Sequence, residues 1–175
     1  MGSLLEPLWQ GLLALLLFSA VVIDVRSRRI PNVLTLTGCL AGLVLAALAG
    51  GLAGFWPSLQ GLLLAFALTL PFWLLGWFGA GDVKLLSAVG AFVGVDLVMP
   101  VLLATGLAGA LLAAVVLLDR GLLAQTRQRL AATLGLSMAA RRWVYVAPGE
   151  QEQQARLPYA VAIAAGTLVA LWWFG

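Results

Sequence analysis

Residues 30–81 read IPNVLTLTGCLAGLVLAALAGGLAGFWPSLQGLLLAFALTLPFWLLGWFGAG, without one Asp, Glu, Lys or Arg. A helix needs about 20 mostly apolar residues to cross a hydrocarbon core of about 30 Å, so this run is long enough for two crossings. Gly54, Pro57 and Ser58 interrupt it, which predicts a second span over 33–53 and a third over 59–78. Trp73 and Trp77, toward the end of the third, suit a membrane interface.

The preceding run, 4–23, is also long enough to span and ends at Asp24 followed by Arg26, Arg28 and Arg29. Secretory signals carry positive charge before the apolar core and end at a small-residue cleavage site, so this order of charge marks a retained first span. Pro31, by its fixed φ, and Asn32, by capping, suit the start of the next helix. Downstream, the apolar run 83–95 covers only about 20 Å as a helix, short of the core thickness. Charge balance decides its assignment. If it spans, Lys84 shares a face with Arg26, Arg28 and Arg29, Asp96 lies opposite, and a fifth span at 97–118 returns Arg120, Arg127, Arg129, Arg141, Arg142 and Arg156 to that first face. All 10 Lys and Arg then lie on one side, as the positive-inside rule prefers. A sixth span at 157–174 opens with Pro158 near its first position.

The expectation is an all-α polytopic bundle of six transmembrane helices with both termini outside, a single membrane-embedded domain over 1–175. Composition agrees: of 175 residues 63% are hydrophobic and 10% charged, against roughly 45–50% and about 25% in soluble domains. The one sizeable polar segment, 119–156, repeats Leu122, Leu130, Leu134 and Met138 at near-helical spacing among arginines, the pattern of an interfacial cytoplasmic helix. Its arginines anchor the neighbouring spans and suit contact with anionic lipid.

Composition also removes chemistry. There is no His, so zincin, serine-triad and Cys-His mechanisms are excluded. The single Cys39 lies in an apolar run and forms no internal disulfide. Glu6, Asp96, Asp119, Glu150 and Glu152 fall in loops or at outer ends, where a carboxylate is solvated. Asp24 and Asp82 differ, because both fall at the cytoplasmic ends of apolar segments, on one membrane face, where an ionisable group is a functional candidate. Two carboxylates brought close share a proton, so one takes a proton from water while the other protonates the carbonyl under attack. The competing reading is that each Asp merely ends a helix beside basic residues. Asp82 stands in Gly79-Ala80-Gly81-Asp82, whose glycines let a substrate backbone approach the carboxylate. Lys84 suits a snorkelling anchor, and its spacing from Ser87 is too generic to argue a Ser-Lys mechanism. Gly38/Gly42, Gly50/Gly54 and Gly90/Gly94, each four apart, suit close helix packing better than a lateral gate.

Two motifs resemble those of the prepilin peptidases, polytopic aspartyl proteases of the GxGD type. Asp24-Val25-Arg26-Ser27-Arg28-Arg29-Ile30-Pro31-Asn32 is similar to the family's aspartate, basic stretch and Ile-Pro-Asn. Gly79-Ala80-Gly81-Asp82-Val83-Lys84-Leu85 is similar to its Gly-x-Gly-Asp-x-Lys-Leu. Leu157-Pro158-Tyr159-Ala160 resembles its Pro-Tyr entry into the last helix. Presenilin-like proteases are similar at Asp82, but a Tyr precedes their first aspartate where this chain has Ile23.

The resemblance implies that Asp24 and Asp82 are the catalytic pair and that the partner is a membrane-inserted pilin precursor. Its cytoplasmic leader is cut after a glycine, with no cofactor, no metal and no nucleic acid involved. It implies a bacterial inner-membrane enzyme with its site facing the cytoplasm, closest to the short tight-adherence (Flp pilus) branch. Longer members add a domain with paired cysteines and N-methylate the product, so methyltransferase activity is not expected of a chain with one Cys that opens at a span. Gly79, Gly81, Lys84, Arg26, Arg28 and Arg29 are the expected substrate contacts, the cations receiving a glutamate beyond the cut. The alternative is a non-enzymatic transporter or assembly factor with Asp24 and Asp82 on an ion path or at helix ends. An ion path favours carboxylates near the midplane, and neither lies there.

Overall fold

The computed structural model describes residues 2–119 and 158–175 and, between them, 128, 131–133 and 135. The interfacial helix expected within 119–156 therefore lies almost wholly outside the described residues. Four helices carry the fold: α1 Gly2–Ser27, α2 Asn32–Leu74, α3 Ala80–Asp119 and α4 Tyr159–Phe174. No strand occurs among the described residues. Three stretches are long and apolar enough to cross a membrane, Leu5–Ser27, Asn32–Leu74 and Ala80–Val116, and α4 is a shorter apolar helix. By internal contacts the chain forms two units, Met1–Gly109 with Pro158–Gly175, and Ala110–Leu157. The first holds both aspartates.

Neither α2 nor α3 is one straight rod. Gly51 (φ 59, ψ −139) breaks α2, and Gly94 (φ 74, ψ 173) breaks α3. This part of φ/ψ space is open essentially to glycine alone. The chain doubles back at Gly51: Ala46 and Gly54 touch, although eight helical residues would separate them by about 12 Å. It doubles back at Gly94 too, where Leu86 and Leu102 line one small apolar cavity. The breaks thus fall at Gly51 rather than at Gly54, Pro57 and Ser58, and at Gly94 rather than beside Asp96. Pro57 is accommodated within the returning helix, because backbone reversal needs the conformation that only glycine takes cheaply.

A break frees the last carbonyls of the helix before it. Those before Gly94 are answered from other helices: the Ser58 hydroxyl donates to the Ala91 carbonyl, and the Trp9 indole N–H donates to the Phe92 carbonyl at 2.9 Å. The first half of α3, the segment too short by length to read easily, is the centre of the bundle. Leu85, Leu86, Ala88, Val89 and Ala91 are almost completely buried. Around it pack Leu13, Leu16, Leu17 and Ala20 of α1, Ala65 of α2, and Ile163 of α4.

Small residues let the helices approach. Gly38 lies against Leu16 and Ala88, Gly42 against Ala91, and Gly61 against Gly90. Close packing therefore accounts for Gly38, Gly42 and Gly90, whereas Gly50 touches nothing within 4 Å and Gly94 serves the break. Large apolar side chains such as Leu15, Phe18, Leu36, Leu107 and Leu111 point outward. Small inside and large apolar outside is the arrangement of helices packed in lipid.

Candidate active site

The end of α1 and the starts of α2, α3 and α4 meet at one end of the first unit. Helix α1 stops because Arg28 takes a left-handed conformation (φ 54), and its N–H donates to the Asp24 carbonyl at 2.8 Å, the αL closure of a helix C-terminus. The Ser27 hydroxyl donates to the carbonyls of Ile23, 2.8 Å, and Arg29, 3.2 Å. Pro31 (φ −64, ψ 139) is the N-cap of α2. Asn32, expected as a cap, is already helical, so its side chain serves elsewhere: its Oδ1 accepts from Lys84 Nζ at 2.9 Å. This bond joins the segment after Asp24 to the helix that carries Asp82.

Asp24 occupies the last turn of α1 and is only 7% exposed. Its Oδ2 accepts the backbone N–H of Ala160 at 3.1 Å. Ala160 stands in the first turn of α4, where N–H groups have no partner inside the helix and carry partial positive charge.

Asp82 occupies the first turn of α3 and is half-buried. Its Oδ2 accepts the Gly79 N–H at 3.1 Å, while Gly79 O accepts the N–H groups of Asp82 at 3.1 Å and Val83 at 3.3 Å. The carboxylate thus supplies the side-chain half of a capping box, and Gly79, which has no side chain, offers only its carbonyl. The helix-end role weighed for Asp82 is thus present, and it uses one of the two carboxylate oxygens. The Tyr159 and Phe78 rings, beside the two backbone donors, are in contact, so both carboxylates stand at the same end of the bundle.

The remaining candidates fall around this pair. Gly81 lies against Ile30, so its missing side chain admits the loop after α1. Gly79 is exposed beside the Asp82 carboxylate. Arg26, Arg28, Arg29 and Lys84 are all exposed. Ser87 is buried and donates to Val83 O at 2.8 Å, within its own helix. Among the described residues no third ligand-type side chain joins the aspartates. Sequence reading missed two contributors. The Ala160 N–H is a backbone group and carries no residue signal. Tyr159 stands in the Leu157–Ala160 motif, which assigns it no role.

A helical bundle of membrane type, with two aspartates converging from different helices at one end, is the class of protein defined here. Residues 11–114 match the type IV leader peptidase family, and the chain belongs to that family. It is similar to the prepilin leader peptidase/N-methyltransferase of Xanthomonas campestris pv. campestris, 32% identical over 128 residues, which cover 65% of this chain and 43% of that protein. The chain thus spans less than half the length of that relative. No solved structure matches it.

Proposed function

We propose that the chain is a membrane aspartyl endopeptidase that removes the cytoplasmic leader of type IV pilin-like precursors, with Asp24 and Asp82 as the reacting groups. The observation that carries this reading is that Asp24 and Asp82 stand at one end of the bundle, bound by the N–H groups of Ala160 and Gly79 whose neighbours Tyr159 and Phe78 are in contact, in a member of the leader peptidase family. One carboxylate takes a proton from water as the water oxygen bonds to the scissile carbonyl carbon. The other, protonated, gives its proton to the carbonyl oxygen. Collapse of the neutral gem-diol returns the first proton to the departing nitrogen and a hydroxyl proton to the second aspartate. The C–N bond breaks, and the pair again holds one proton.

The exposed cations Arg26, Arg28, Arg29 and Lys84 would receive an acidic side chain of the precursor, and the bare backbone at Gly79 and Gly81 would lie beside it. In this reading the chain crosses the bacterial inner membrane six times, with both termini outside and the basic end in the cytoplasm. The precursor is of the Flp type. Against a pure helix-end role stands Asp24: a buried carboxylate at a helix C-terminus does not favour that helix.

The test is processing of a co-expressed pilin precursor. Asp24→Asn and Asp82→Asn should each abolish cleavage with insertion intact, because Asn is nearly isosteric yet exchanges no proton. Near-normal cleavage by either would return the protein to the transporter or assembly-factor reading.

A further inference from the structure

The backbone donors that hold the two carboxylates belong to residues next to two aromatic rings in contact. Gly79, whose N–H binds Asp82, follows Phe78. Ala160, whose N–H binds Asp24, follows Tyr159. The Phe78 and Tyr159 rings lie 4.9 Å apart at 46°, within the range of favourable aromatic pairs. We propose that Phe78 and Tyr159 form a clasp that sets the separation of the two aspartates, each ring fixing the backbone donor beside it. The proposal rests on the peptidase reading above.

Both rings are seated from behind. Phe78 stacks on Phe72 at 5.5 Å, and its N–H donates to Phe72 O at 3.2 Å, which pins the turn before Gly79 to the end of α2. Tyr159 lies over Gly109, where any side chain would strike the ring. A proton shared by two carboxylates depends steeply on their distance, because the like-charge penalty falls as they part. Phe78 and Tyr159 are therefore positioning residues, and removing a ring should change how the pair titrates.

The experiment is the pH profile of kcat for cleavage of a precursor by purified full-length enzyme, whose acid and alkaline limbs report the pair. Among the described residues the charged and titratable groups around it are Tyr159 of α4, Lys84 of α3 bonded to Asn32 of α2, and Arg26, Arg28 and Arg29 at the end of α1 and beyond. Phe78→Leu leaves all of them in place.

Phe78→Leu and Tyr159→Leu should lower kcat on the order of ten-fold or more with little change in KM, and bring the two limbs closer by roughly one pH unit. Their effects should not add, since each breaks the same contact. Phe78→Tyr and Tyr159→Phe keep both rings and should restore kcat and limb spacing. Gly109→Ala, which displaces the Tyr159 ring, should resemble Tyr159→Leu. Leucine variants with unchanged limb spacing would overturn the clasp, as would a Tyr159→Phe enzyme as impaired as Tyr159→Leu. Either result can occur while Asp24→Asn and Asp82→Asn still abolish cleavage, so the clasp can fail with the peptidase reading intact.

Discussion

Two residues near the aspartates in sequence have duties that their positions only half suggest. Lys84 Nζ is held by Asn32 Oδ1 at the surface, so it ties two motifs together. An exposed bond of this kind contributes about 0.5–1.5 kcal/mol. Asn32→Ala and Lys84→Met should each lower catalytic efficiency several-fold, and the double variant should be no worse than the more impaired single one. Full additivity in that cycle would dissolve the link. Gly81 gives a sharper case, because its open side is taken by Ile30. Gly81→Ala should impair cleavage by pushing Ile30, and with it the loop after Asp24. Ile30→Gly, which removes the obstructing Cβ, should recover part of that loss. If Gly81 instead clears space only for substrate, the second substitution will recover none.

At the scale of elements, the turns inside α2 and α3 rest on single glycines and on borrowed hydrogen bonds. Gly50 and Gly51 are neighbours with nothing within 4 Å of either would-be Cβ, yet only Gly51 has a positive φ. Gly51→Ala should therefore cost about 1–3 kcal/mol through backbone strain alone. Gly50→Ala should be neutral or slightly stabilising, since alanine is the better helix former. Thermal unfolding of the two variants in detergent compares them directly, and equal midpoints would contradict a Gly51 turn. Ser58→Ala leaves the buried Ala91 carbonyl without the hydroxyl that answers it. It should cost about 1–3 kcal/mol, as an unsatisfied buried polar group does.

For the whole molecule, the arrangement of charge makes an orientation prediction. With Cys39 replaced by Ala, a cysteine introduced as Arg28→Cys beside Asp24 should react with an impermeant thiol reagent only after the inner membrane is opened. One introduced as Ala53→Cys, just past the Gly51 turn and exposed, should react in intact spheroplasts. The reverse pattern would invert the topology, and labelling of both from one side would remove the crossing between them.

Sequence alone determined the class of fold and singled out two carboxylates. An uncharged run from Ile30 to Gly81 has no stable place except lipid or a bundle core, and the absence of His turned attention to the carboxylates. Asp24 and Asp82 stood out because charge at the edge of an apolar helix is costly and therefore informative. The breaks were misplaced by a few residues, since composition shows where breakers cluster but not which glycine takes a mirror-region backbone. That choice is made by packing, through Ser58 and Trp9 reaching the carbonyls freed before Gly94. The support of the site belongs to tertiary structure for the same reason. Ala160 offers a backbone N–H that any residue except proline would supply, and Phe78 meets Tyr159 across 81 positions of chain. Such partners are chosen by proximity in space, and hydropathy records only which residues avoid water, not which of them meet.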